Sequence, residues 1–184
     1  MGNTIKPNTL AKNPESPKRH DHYSDRTLRS ILSSVRSIAL VGASTQWRRP
    51  SYYAMKYLQR KGYKVYPINP LRAGQEVLGE VIHPRICEVP SSIDMVDIFR
   101  NSEAALDISK EVIANKDDKG TQVLWMQLGV RNDTAAKLAE EAGLTVIMNR
   151  CPKIEFARLS GELGWYGINS KIITSKRLRG PHHD

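Results

Sequence analysis

The sequence predicts an α/β protein: a doubly wound, mainly parallel five-stranded sheet with helices on both faces. Three observations lead there. Short apolar runs such as Ile38-Ala39-Leu40-Val41 are continuous rather than alternating, which suits strands covered on both sides. Three of these runs are followed by a stretch whose apolar residues recur at helical spacing. Glycines, Asn and Asp stand at the junctions, where helices are capped and chains turn. With 184 residues the chain can build one substantial core but not two.

Residues 1–23 carry Pro7, Pro14 and Pro17 among polar side chains and are expected to be a disordered tail. From residue 24 the folded domain is expected to run to residue 174. Leu28, Ile31, Leu32 and Val35 form a helical stripe that Ser24 or Asp25 can cap. The first strand, Ile38 to Val41, stops at Gly42, and Pro50-Ser51 opens a helix that Gly62 ends. Lys64 to Ile68 is the second strand, broken at Asn69-Pro70. Residues 71–93 read as irregular, with one helical turn near Arg85 to Glu88. Met95 to Phe99 is the third strand. Asn101 or Ser102 caps the next helix, which turns Ala105, Ile108 and Val112 to the sheet. Thr121 to Gln127 is the fourth strand. Asn132 or Asp133 opens a helix with Ala135, Leu138, Ala139 and Ala142 on one stripe, and Leu144 to Met148 is the fifth strand. Residues 175–184 form a basic tail.

The net charge of +9 invites a nucleic-acid reading, which its distribution weakens. Residues 1–36 contribute +4 and residues 171–184 contribute +3, leaving +2 for the body between them. Solvated ends are the bland explanation, contact with RNA, membranes or acidic partners the sharper one. No stretch has the apolar length of a membrane span and no secretory-type segment leads the chain, so a cytosolic protein is expected. Cys87 and Cys151 show no metal-ligand spacing and read as reduced thiols.

In a doubly wound sheet, ligands bind beyond the carboxyl ends of the strands, where the winding reverses. That rule selects Gly42 to Pro50, Asn69-Pro70, Phe99-Arg100, Gln127 to Gly129 and residues 149–151. Gly42 permits a tight turn and a close ligand, and the following helix directs its free N–H groups and positive dipole end at that turn. The same strand, glycine and helix can also serve only to pack a sheet. Where a dinucleotide fold usually places an acidic residue against ribose hydroxyls, this chain has Asn69-Pro70 with Arg72 behind it. That favours a ribose bearing phosphate, as in NADP or coenzyme A, or else simply marks a turn. Arg48 and Arg49 suit phosphate clamps or a solvated face, and Arg100 a cleft or a neighbouring carboxylate.

The motifs SIALVGAS, RPSYYAMKYLQRKGY, VYPINP, EVLGE, DMVDIFR, VLWMQLGV and GLTVIMNRCPKIEFARL span Ser37 to Leu159. In this order they resemble the small single-domain CoA-binding proteins, whose Rossmann-like fold is shared with the CoA-binding domain of the succinyl-CoA synthetase alpha subunit. The resemblance implies that Gly42, Ala43 and Ser44 hold the pyrophosphate of CoA, with Arg48, Arg49 and Ser51 near phosphates. It implies Asn69, Pro70, Phe99 and Arg100 around the nucleotide, and Gln127 and Gly129 on the pantetheine side. Relatives commonly carry His after KIE where this chain has Phe156, so no role resting on that imidazole carries over.

The resemblance supplies a ligand but no reaction, since synthetases need a phosphorylated histidine and an ATP-handling domain from other parts of the polypeptide. Of the five histidines, only His83 lies in the expected body. Cys151, near the expected position of the CoA sulfur, is either a structural residue or a thiol able to form a mixed disulfide. The expectation is a protein that binds CoA or acyl-CoA without catalysis, as carrier, sensor or partner of an acyl-CoA enzyme. Alternatives are an NADP- or NAD-binding module, and a component lending its CoA site to a separate ATP-dependent subunit.

Overall fold

The structure, a computed structural model, describes residues 20–161. The expectations for residues 1–19, for the end of the domain between residues 162 and 174 and for the basic tail lie outside the described residues.

Helix α1 (Asp25–Ser34) starts at Ser24, whose hydroxyl accepts from Thr27 N at 3.1 Å. It leads into β1 (Ser37–Val41), α2 (Pro50–Arg60) and β2 (Lys64–Ile68). A small hairpin, β3 (Glu76–Val77) with β4 (Glu80–Val81), precedes β5 (Met95–Ile98). Then come α3 (Ser102–Lys119), β6 (Val123–Met126), α4 (Asp133–Glu141), β7 (Thr145–Ile147) and α5 (Pro152–Leu159). The five longer strands form one sheet in the order β2-β1-β5-β6-β7, and every neighbouring pair is parallel.

From β1 the chain winds outward to β2, returns to the other side of β1 as β5, and continues to β6 and β7. The winding therefore reverses between β1 and β5, and their carboxyl ends leave a crevice there. Strand geometry divides β1 between two cores: Ile38 and Leu40 join one, Ala39 and Val41 the other. The first core is closed by Leu28 and Leu32 of α1, Met55 and Leu58 of α2, and Phe156 and Leu159 of α5. The second is closed by Ala105 and Val112 of α3 and Ala135, Ala136 and Ala139 of α4. Helices thus cover both faces of the five-stranded sheet.

Several details differ from the sequence reading. The last three strands of the sheet are each shorter than expected: Phe99, Gln127 and Met148 lie beyond their carboxyl ends, and Thr121, Gln122 and Leu144 precede the amino ends of β6 and β7. The irregular stretch holds a 3-10 turn at Pro70–Arg72, the β3–β4 hairpin, and a second 3-10 turn at Ile86–Glu88. His83 extends the outer edge of β2: its N–H donates to Pro67 O and its carbonyl accepts from Asn69 N, both at 2.9 Å.

Residues 20–23 pack on the body, where the sequence reading placed the end of a tail. His20 is buried, and its Nδ1 lies 2.9 Å from the Tyr23 hydroxyl, which accepts from Met148 N at 2.8 Å. The apolar body of Tyr23 covers the end of β7 while its hydroxyl satisfies a main-chain donor there, which a count of aliphatic residues does not register. His20 therefore joins His83 in the body.

Candidate functional site

The turn after β1 is held from its neighbours. Gly42 N and Ala43 N both donate to Ile68 O, at 2.9 and 3.2 Å, and Phe99 N donates to Val41 O at 2.8 Å. Gly42 has φ 96°, and a Cβ placed on it would come 2.9 Å from Phe99 O, so both conformation and space demand glycine. This refines the expectation that the Gly42 and Ala43 amides face a phosphate: β2 already occupies them. The loop beyond is tied by Asn69 Nδ2, which donates to Ala43 O at 2.7 Å, and by Arg72 Nη1, which donates to Thr45 Oγ1 at 3.2 Å.

Three adjoining clefts follow the carboxyl edge of the sheet. The middle one, about 590 Å³, is walled by Gly42, Ala43 and Ser44 after β1, Arg49 and Ser51 at the start of α2, Asn69 and Arg72 after β2, and Phe99 and Arg100 after β5. Three arginines line it and no carboxylate does. Among the described residues, no carboxylate pairs with Arg49, Arg72 or Arg100; Arg49 Nε instead donates to Gln46 Oε1 at 3.4 Å. Helix α2 has Pro50 in its first turn and no side-chain cap, so the first-turn N–H of Ser51 has no intrahelical acceptor. Unpaired guanidinium groups, an uncapped helix start and the positive end of its dipole together favour an anion.

On one side lies a more apolar cleft of about 320 Å³, bounded by Pro70, Pro84 and Ile86 and by Ala104 and Ile108 of α3. Gly42, Asn69 and Arg100 are shared with the middle cleft. On the other side lies a cleft of about 740 Å³ between α2 and α5, lined by Arg48, Tyr53, Phe99, Gln127, Cys151 and Ile154. Eleven of the twelve residues singled out from the sequence thus border one continuous groove. Gly129 is set back from these three walls: it has φ 78° and its N–H donates to Asn149 Oδ1 at 2.8 Å, making it a turn residue.

The residue that sequence reasoning missed is Asp97. It lies in β5, level with Leu40 of β1 and Trp125 of β6, and is fully buried. Gln127 Nε2 donates to both its oxygens, at 3.1 and 3.0 Å. Burial drives its pKa up to about 8, and the Gln127 hydrogen bond only partly opposes this. The signal in the sequence was a lone acid inside the apolar run MVDIF. Beside it, burial pushes the Cys151 thiol up, opposed by the N–H groups of Ile154 and Lys153 and by Gln127. Phe156 faces away from the groove, its ring edge-on to Tyr57 and Tyr63 at 6.2 and 5.9 Å.

Comparison with known proteins agrees with this architecture. The family model described as a CoA binding domain matches residues 36–157. The uncharacterized protein YneT of Bacillus subtilis (strain 168) is 33% identical over 130 residues, 71% of this chain and 92% of YneT. A hypothetical protein of Pyrococcus horikoshii OT3 is 38% identical with a TM-score of 0.71, over 80% of this chain and 100% of that one. A Thermus thermophilus protein is 34% identical with a TM-score of 0.69, over 74% of this chain and 99% of that one. The matched span takes in the groove from the β1 turn to α5, and on it the chain belongs to the CoA binding domain family.

Proposed function

We propose that the chain binds coenzyme A or an acyl-CoA in this groove without catalysing a reaction, and serves as a carrier, a sensor or a partner of an acyl-CoA-using enzyme. The observation that carries the reading is the middle cleft, with three arginines, an uncapped helix start and no carboxylate. Such a cleft suits a diphosphate. The apolar cleft beneath Asn69 and Pro70 suits the adenine ring, and the cleft reaching Gln127 and Cys151 suits the pantetheine arm. In this assignment Arg49, Arg100 and the Ser51 N–H meet the phosphates, Arg48 guards the entry to the third cleft, and Phe99 separates the two ends of the ligand.

A thermal-shift panel with CoA, acetyl-CoA, NADP, NAD and ATP tests the assignment, because selective binding to the folded state raises apparent stability. CoA and acetyl-CoA at about a hundred times their Kd are expected to stabilise the chain by about 2.7 kcal/mol. Arg49→Ala is expected to weaken both about tenfold, the loss of one charge-assisted hydrogen bond. A larger shift with NADP than with CoA would replace this reading by a nicotinamide nucleotide module.

A further inference from the structure

A planar amide carries its donor and acceptor on opposite edges. In Gln127 the nitrogen edge is committed to the two oxygens of Asp97, so the oxygen edge is turned away from that carboxylate while the side chain itself lines the 740 Å³ cleft. In this orientation an ionised Asp97 has both oxygens satisfied, whereas a protonated one still accepts through its carbonyl oxygen but finds no acceptor for its O–H on Gln127. Once Asp97 is protonated, its O–H needs an acceptor, and the fully buried group has Gln127 as its hydrogen-bonding partner. Turning the amide over supplies that acceptor, offering Oε1 to Asp97 and the N–H groups to the cleft.

We infer that Asp97 and Gln127 form a specificity switch: the charge state of Asp97 decides whether Gln127 offers the sulfur end of the ligand a hydrogen-bond acceptor or a donor. The inference rests on the CoA reading above, because that reading places the sulfur end in this cleft. With Asp97 protonated, the donor edge suits the carbonyl of an acyl thioester. With Asp97 ionised, the acceptor edge faces that carbonyl unfavourably and suits a free thiol. The protonated form prevails below about pH 8, so the cleft is set for acyl-CoA at neutral pH and loses that preference in alkali.

The surroundings keep the switch local. Leu40 and Trp125 flank Asp97 on β1 and β6, and α2 brings Ala54 and Tyr53 to the cleft. The nearby titratable or charged groups are the Cys151 thiol before α5, Lys153 on α5, and Arg48 and Arg100 on the cleft walls. Asp97 is the one carboxylate whose ionisation bears directly on the Gln127 amide among the described residues.

Two measurements on the full chain test the switch separately from the ligand assignment. Without ligand, the Gln127 side-chain amide is followed by ¹⁵N NMR from pH 6 to 9.5. Its resonances are expected to titrate with a midpoint near 8 in the wild type and to stay constant in Asp97→Asn. A flat wild-type profile overturns the switch.

In the second measurement, calorimetry compares acetyl-CoA with an S-alkyl-CoA thioether of equal length, neither of which titrates at sulfur. The acetyl-CoA preference is expected to fall about tenfold between pH 6.5 and 9.5, one hydrogen bond's worth. It is expected to be independent of pH in Asp97→Asn and in Gln127→Met, the second variant guarding against a folding defect in the first. An unchanged wild-type preference overturns the specificity role even if the amide titrates. Failure of both compounds to bind, with the amide titrating, overturns the CoA reading and the specificity role with it.

Discussion

Asp97 places a carboxyl group at the centre of a parallel sheet, where burial ties its protonation to folding. Asp97 is shielded from water by β1, β6 and the helices beyond them, and its pKa stands near 8 against an ordinary 3.8. Between about pH 4 and pH 8 the folded chain keeps a proton that the unfolded chain has released. Stability on this residue's account is therefore complete below about pH 4 and declines as pH rises towards 8, by at most about 1.4 kcal/mol per pH unit. Asp97→Asn removes the proton from both states and preserves the shape. The unfolding free energy of the variant minus that of the wild type is expected to rise from pH 5 to pH 8 by on the order of several kcal/mol. Urea unfolding at intermediate pH values checks it, because other titrating groups cancel in the difference. A difference that stays constant across the window would show that Asp97 is not held protonated. At the same scale, Gly42 was legible because a strand ending at glycine before a helix is a pattern in sequence. The engagement of its N–H with Ile68 was not, because that depends on which strand lies alongside.

Elements were legible in proportion to how regular their buried stripe is. Ser24, Asn101 and Asn132 each cap a helix with a side-chain oxygen, and each precedes a run with apolar residues at helical spacing. Helix α5 offered no such stripe: its buried positions are Pro152 and Glu155, and only Phe156 and Leu159 pack partly into the core. Charge adds to that packing. Glu155 is buried, and Arg158 donates to its Oε2 from Nη2 at 2.7 Å and from Nε at 3.1 Å. Arg158 Nη1 also reaches Asp25 Oδ1 of α1 at 2.8 Å, so one guanidinium group joins two helices on the same face. Arg150 lies 3.7 Å from Glu155 and is a weaker substitute. Arg158→Ala is expected to lower stability by about 3 kcal/mol, since removing one partner of a buried pair strands the other charge. Arg158→Ala combined with Glu155→Gln is expected to recover part of that loss in urea unfolding. A loss below about 0.5 kcal/mol for the single variant would assign the pair to the solvated kind.

At the scale of the whole molecule, the groove arises from topology rather than from any one motif. Reversal of the winding between β1 and β5 opens the crevice, and the turns after β1, β2 and β5 supply its arginines from three separate places in the chain. That convergence is why the residues at the carboxyl ends of the expected strands could be singled out before any distance was known. The amino-terminal boundary obeys different physics. Residues 20–23 look like linker by composition, yet the Tyr23 hydroxyl accepts from Met148 N and the Arg150 guanidinium lies 5.6 Å from its ring. Asp21 pairs with Arg131 at 2.7 Å, tying the same segment to the start of α4. A chain beginning at Ser24 loses these contacts and leaves the Met148 N–H without its partner at the end of β7. Relative to a chain beginning at residue 20, it is expected to be less stable by about 2 kcal/mol, a hydrogen bond and the burial of part of an aromatic ring. In a domain of this size that lowers Tm by roughly 4–8 °C. Tyr23→Phe in the full chain keeps the ring and removes the hydroxyl, so it separates the two contributions and is expected to account for about half of the loss. Equal Tm values for the two shortened chains would mean that the segment rests on the body without holding it.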